Sequence, residues 1–177
     1  MKRYWAAVLA LSVPVCAFAS CGDTKSSESG KGSYEDALEE YVEAFNSRSG
    51  EDFLKAAYPD FMVDALKSGS EDEFDAAIEQ YDSMIEDQFA DYEERVGSNV
   101  KISVDIKEAE KLSDEDLTSF QKNVDGFCGQ HEIDDEHKLT EGYKLKVNTV
   151  VHGDDGEENE ESSFIVVCVD DNEWMIN

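Results

Sequence analysis

The chain is 177 residues long and strongly acidic, with 15 Lys+Arg against 43 Asp+Glu and a formal charge of −28. A surface of that sign repels nucleic acid and anionic lipid headgroups, so neither is an expected partner. Hydrophobic residues still make up 40% of the chain, and their patterning argues for one folded domain rather than a disordered acidic polymer.

Residues 1 to 20 stand apart. Lys2 and Arg3 precede an almost wholly apolar stretch, Tyr4 to Val15, followed by the small residues Ala17, Ala19 and Ser20. This is the plan of a secretory signal. The apolar stretch falls short of the ~20 residues a membrane-spanning helix needs. Ala17-Phe18-Ala19-Ser20-Cys21 resembles the lipobox of bacterial lipoproteins, with Phe18 where Leu is usual. The resemblance implies cleavage before Cys21, a diacylglyceryl group on its thiol, and a protein anchored at the outer face of the cytoplasmic membrane. The alternative is ordinary cleavage after Ala19, because Ala17-Phe18-Ala19 has the A-x-A form.

Residues 22 to 33 contain nothing to bury and are expected to be a flexible tether of roughly 20 Å root-mean-square span. Ser33 with Asp36 caps a first helix, whose inward stripe is Tyr34, Ala37, Leu38, Tyr41, Val42 and Phe45. A shorter helix covers Glu51 to Ala57, and Pro59 opens another that runs to about Lys67. Ser70 with Glu73 forms a capping box before a long helix whose inward stripe is Phe74, Ala77, Ile78, Tyr81, Met84, Ile85, Phe89 and Tyr92 and which stops at Gly97. The period then changes to two: Val100, Ile102, Val104 and Ile106 mark a half-buried strand. Ser113 and Asp116 cap a further helix that buries Leu117, Phe120, Val124 and Phe127. Tyr143, Leu145, Val147, Thr149 and Val151 form a second strand. Gly153 to Glu161 is expected to be an acidic turn, Phe164 to Val169 a central strand covered on both sides, and Glu173 to Ile176 a closing strand. Together these elements predict an α+β fold, a single domain over 34 to 177, with the helices, most of them N-terminal, all packed on one face of a curved antiparallel sheet of about four strands.

Cys16 leaves with the signal. If Cys21 carries lipid, Cys128 and Cys168 remain as an even pair in an oxidising compartment, which favours a disulfide. Such a bridge would close about 40 residues and stabilise by roughly 4 kcal/mol. Two buried free thiols are the alternative. His131 and His137 flank four carboxylates, but at H-x5-H spacing rather than a zinc pattern, and the acidic run Asp154 to Glu161 lacks an EF-hand spacing. Solvated loops explain both, and neither metal nor cofactor is expected. No catalytic signature is present. Tyr41, Phe45, Tyr81, Tyr143 and Trp174 lie on inward stripes, either as ordinary core or as the lining of a partly open apolar pocket with tyrosine hydroxyls at its rim.

The end of the chain, V-V-C-V-D-D-N-E-W-M-I from Val166 to Ile176, resembles the closing hairpin of nuclear-transport-factor-2-like (cystatin-like) domains, and the layout from Tyr34 to Asn177 is similar to theirs. Asn172 stands where Gly is common in that turn. The resemblance implies a cone-shaped sheet around helices, enclosing a pocket. Some members are isomerases or dehydratases, others non-catalytic modules, and no catalytic pattern carries over residue by residue. The expected role is a membrane-anchored, extracytoplasmic, non-catalytic module that binds a small apolar ligand or a protein or peptide partner. The alternatives are a structural subunit of a cell-envelope complex and, third, an isomerase-type enzyme.

Overall fold

The computed structural model describes residues 32 to 69 and 71 to 177; the signal segment, Cys21, the tether up to residue 31 and the Ser70 cap lie outside them. Four helices come first: α1 (Tyr34–Ser47), α2 (Gly50–Ala57), α3 (Asp60–Gly69) and α4 (Glu71–Val96). Strand β1 (Lys101–Lys111) and helix α5 (Asp114–Gln130) follow, then strands β2 (Leu139–Gly153), β3 (Gly156–Val169) and β4 (Glu173–Ile176). The strands form one open antiparallel sheet in the order β1-β2-β3-β4, and the fold is α+β. No described helix is long and apolar enough to cross a membrane.

Local chemistry sets the helix ends. Ser33 Oγ accepts the Asp36 N–H, while the Asp36 carboxylate accepts the Ser33 N–H at 2.8 Å. Ser113 and Asp116 repeat the arrangement on α5. Each reciprocal pair satisfies donors that a helix start leaves orphaned. The end of the expected tether is fastened rather than loose, because the Trp174 indole N–H donates to the Gly32 carbonyl at 3.0 Å.

Helices α1, α2 and α4 cover one face of the sheet. Their stripes meet the strands in two adjoining clusters, one around Phe53, Ile85, Phe89, Ile102 and Val151, the other around Leu38, Leu145, Val147, Val166 and Ile176. Burying a Leu, Ile or Phe side chain in this way contributes about 1.5–3 kcal/mol each. The expectation that every helix lies on one face is corrected here. Helix α5 lies on the opposite face, where Phe120 and Val124 meet Val167 and Met175, with Met62 of α3 joining them. Strand alternation requires this: Val166 and Val167 are adjacent, both buried, and so point to opposite faces. Gly142 leaves room for α5, since a Cβ there would lie 2.8 Å from Leu112 Cδ1 and 3.1 Å from Leu117 Cδ2.

The acidic stretch 153 to 161 also differs from expectation. The turn is confined to Asp154 and Asp155, and residues 156 to 161 continue β3, paired with β2 down to Gly153↔Gly156. Four glutamates there suggest a loop by propensity, yet the β2 ladder supplies every inward-facing backbone partner and tertiary pairing overrides propensity. In the last hairpin, Asp170 and Asp171 take the left-handed conformation (φ 51 and 62), and the Asn172 N–H donates to the Val169 carbonyl. This is a type I′ turn, and the two aspartates carry the strain expected of Asn172.

The two edges of the sheet are treated differently. On β1, Asn46 of α1 acts as a one-residue strand: its Nδ2 donates to the Ile102 carbonyl at 2.7 Å and its Oδ1 accepts the Ile102 N–H at 2.8 Å. Asn46→Ala would strip both half-buried groups at once, at an expected cost of about 1–3 kcal/mol in chemical denaturation. Strand β4, by contrast, covers only Val166 to Val169 of β3, with Asn177 adding a reciprocal pair to Ile165 at 2.9 and 2.8 Å.

Candidate functional site

The five aromatic residues expected around one opening form two packed groups. Helix α1 projects Tyr41 and Phe45 from one stripe, α2 supplies Phe53, and α4 supplies Tyr81 and Phe89. Phe53 is the hub, with ring centroids 4.8 Å from Tyr41, 5.8 Å from Phe45 and 5.3 Å from Tyr81. Phe45 stacks on Phe89 at 5.5 Å, and Tyr41 meets Phe164 of β3 edge-on at 5.8 Å. Tyr143 and Trp174 belong to the second group, each packed with Tyr34, and Tyr143 lies 4.6 Å from it. These separations are those of rings in direct contact, which leaves no room for a ligand between them.

Hydroxyls border the first group. Tyr58 and Tyr81 share a hydrogen bond at 3.2 Å. Burial pushes the Tyr41 phenol up to about 12 and, with the Tyr58 bond, raises that of Tyr81 further. At Tyr143, burial and the bond its hydroxyl donates to Glu141 push the phenol up to about 12. All three therefore stay neutral at physiological pH, and the Tyr143 hydroxyl donates to Glu141. A phenol whose pKa is raised by folding contributes stability that is complete below pH ~10 and is lost as pH climbs through its folded value. Stability is thus expected to fall between pH ~10 and ~12. Tyr41→Phe should flatten that loss in urea melts taken across the range.

The two cysteines are free thiols, and the expected Cys128–Cys168 disulfide is corrected. Cys128 lies on α5 with the cluster around Val124 and Val167. Cys168 follows Val167 on β3 and pairs with Trp174, so alternation turns it to the α1 face. The sheet stands between them. Burial raises both thiols, which stay protonated and poorly nucleophilic. A reducing agent is accordingly expected to leave the melting temperature unchanged; loss of the roughly 4 kcal/mol a bridge would supply would contradict the free pair.

The polar loop after α5, expected to be simply solvated, contains a latch. The His137 ring stacks on Phe61 at 3.7 Å and 9°, with Nδ1 2.7 Å from Asp170 Oδ2. Asp170 Oδ1 accepts the Lys138 N–H at 2.8 Å, and Gln121 bonds both the His137 carbonyl and the Leu139 N–H. Burial would raise the Asp170 carboxyl, but the Lys138 N–H and His137 outweigh it and hold it below the usual carboxylate value. The latch joins α3, α5 and the β3–β4 turn. Nothing in the sequence pairs residues 33 apart, and H-x5-H spacing pointed only to a loop. His131 packs on Phe127 of its own helix at 4.3 Å, away from the latch.

The acidic tip is braced rather than gathered. The Asn99 amide donates to Asp154 Oδ2 at 2.8 Å, the Asp155 N–H donates to the Val96 carbonyl, and Arg95 lies 2.6 Å from Glu158 Oε2. Met84, expected on the inward stripe of α4, is 44% exposed, and a surface depression of about 610 Å3 runs along the helix past it and Gln80, Ser83, Asp87, Gln88 and Asp91. Its lining comes from one stripe of one helix, without an opposing wall among the described residues, so it holds no enclosed ligand. Among the described residues no three His, Cys, Asp or Glu side chains converge as a metal site. The chain matches no family model, no curated protein and no solved structure.

Proposed function

We propose that the chain is an extracytoplasmic lipoprotein, anchored through Cys21, whose α+β domain is a non-catalytic module that recognises a protein or peptide partner on its outer surface. The observation that carries this reading over small-ligand binding is the packing of Tyr41, Phe45, Phe53, Tyr81 and Phe89 against one another, which fills the space a cone-shaped pocket would occupy. The nuclear-transport-factor-2-like resemblance belongs to the same proposal. It is supported by N-terminal helices laid across an antiparallel sheet and by a closing Val-Cys-Val, tight turn, Trp-Met-Ile hairpin. Anchoring is supported by the lipobox-like run alone. An anchored domain meets macromolecular partners in its own compartment, and its negative charge keeps it off the headgroups.

Intact-mass analysis of the exported protein tests the reading. The expected N-terminal residue is Cys21 bearing a diacylglyceryl group, in the membrane fraction. An N-terminus at Ser20 without fatty acid, or uncut chain retained inside the cell, would overturn it.

A further inference from the structure

Strand β3 has 14 residues, and β2 pairs with it throughout. On its other side it meets β4 only over the last four residues, plus the Ile165–Asn177 pair. Ile165 turns both its N–H and its C=O toward Asn177, at 2.9 and 2.8 Å. The β2–β3 register runs without a bulge from His152↔Glu157 to Glu141↔Cys168. The same alternation therefore points the N–H and C=O of Ser163, Glu161, Asn159 and Glu157 outward. No strand among the described residues receives them. The result is an unpaired edge of nine residues, roughly 30 Å long.

Proteins normally blunt such an edge. Strand β1 shows how: Asn46 occupies it at Ile102, a bulge interrupts it between Ile106 and Glu108, and it carries charges of both signs. The β3 edge carries a different pattern. It is regular, and its charges are all of one sign: Glu157, Glu158, Glu160 and Glu161. Arg95 neutralises Glu158, and His152 lies 3.3 Å from Glu157. Glu160 and Glu161 are exposed and have no cation within ion-pairing distance among the described residues. A one-sign edge prevents a second copy of this chain from pairing there, because like charges would face one another across the ladder. It leaves the edge open to a strand of the opposite sign.

We propose that the β3 edge from Gly156 to Phe164 is a docking strip for an extended lysine- or arginine-bearing segment of a partner protein, which adds as a fifth strand. Main-chain hydrogen bonds to the four outward-facing residues would supply affinity, and cross-strand pairing of its basic side chains with Glu160 and Glu161 would select it. This rests on the reading of the domain as an interaction module and names the surface and the partner's chemistry.

The test uses the full mature chain and a nine-residue peptide, Val-Lys-Lys-Val-Val-Lys-Lys-Val-Val, whose adjacent lysines point to both faces as Glu160 and Glu161 do. Two controls accompany it: the same peptide N-methylated at every residue, which leaves neither of its edges able to complete the ladder, and a counterpart with Glu in place of Lys. Calorimetry should show saturable binding of the Lys peptide, weakened by salt, with N-methylation costing at least about tenfold. Amide exchange should slow at Glu157, Asn159, Glu161 and Ser163. Glu161→Pro removes an outward donor without touching the β2 ladder and should weaken binding about tenfold. E160K/E161K, which leaves the backbone unchanged, should exchange the preference to the Glu peptide. Equal affinity for the N-methylated peptide, protection mapped to another surface, absence of binding, or a dimer of the chain formed through this edge would each overturn the proposal. Failure here with Cys21 found lipidated leaves the module reading intact, whereas an unlipidated, retained chain removes that reading whatever the peptide does.

Discussion

Phe89→Ala is expected to destabilise the domain by about 3–5 kcal/mol and to lower its melting temperature by roughly 10 °C. Phe89 is 1% exposed and belongs to the cluster that joins α1, α2 and α4 to the sheet. Its ring stacks on Phe45, meets Tyr92 edge-on at 6.5 Å, and carries the Arg48 guanidinium 4.0 Å above its centre. Truncation removes the ring's transfer free energy and leaves a cavity that surrounding elements cannot fill. It also strips the apolar platform from Arg48, which ends α1 in a left-handed conformation and pairs with Glu93 at 2.8 Å. Calorimetry and urea unfolding measure the loss. A cost below about 1.5 kcal/mol would mean that the interior is loose enough to collapse or to admit a ligand.

Gly50→Ala is expected to destabilise by about 1–3 kcal/mol, against the usual direction. In an ordinary helix the change stabilises by about 0.5–1 kcal/mol, because alanine surrenders less chain entropy. At Gly50 the new Cβ would lie 2.6 Å from the Ile78 carbonyl oxygen and 2.8 Å from the Asp82 nitrogen, both backbone atoms of α4 that cannot rotate away. Helices α2 and α4 would have to part, which would lengthen the 2.5 Å bond from the Gly50 N–H to Asp82 Oδ1 and loosen Phe53 against Tyr81. Gly126 is the control. It lies within α5, and a Cβ added there would meet nothing within 4 Å, so Gly126→Ala should stabilise by about 0.5–1 kcal/mol. Opposite signs from one chemical change would locate the close approach of α2 and α4 by melting curves alone.

The helices were legible because each carries its signal locally. Ser33 with Asp36 and Ser113 with Asp116 announce starts that the structure reproduces, Pro59 divides α2 from α3, and Gly97 ends α4. The strands were legible wherever one face is buried, as at Ile102 and Val104. Pairing was not legible. The run Gly156 to Glu161 holds one glycine and four glutamates and becomes strand only because β2 lies beside it. The placement of α5 on the far face was equally hidden, since an amphipathic stripe specifies that a helix packs but not on which face. The disulfide expectation failed for the same reason: cysteine parity carries no information about a sheet lying between two thiols. The aromatic residues pack half-buried against the core clusters, and whether such rings leave a pocket depends on how those from α1, α2 and α4 meet at Phe53. The His137–Asp170 latch and the open β3 edge are products of tertiary arrangement and have no local signature.

The claim on which the functional reading depends is that the space between helices and sheet is filled, so that recognition takes place outside it. The most direct measurement is an NMR titration of the full mature chain with a fatty acid and with an aromatic dye, following the ring and hydroxyl-bearing side chains of Tyr41, Phe45, Phe53 and Tyr81. The account predicts no saturable change at these rings. Saturable shifts confined to them, with binding lost in a variant such as Tyr81→Ala, would show an interior that opens to a ligand and would contradict it.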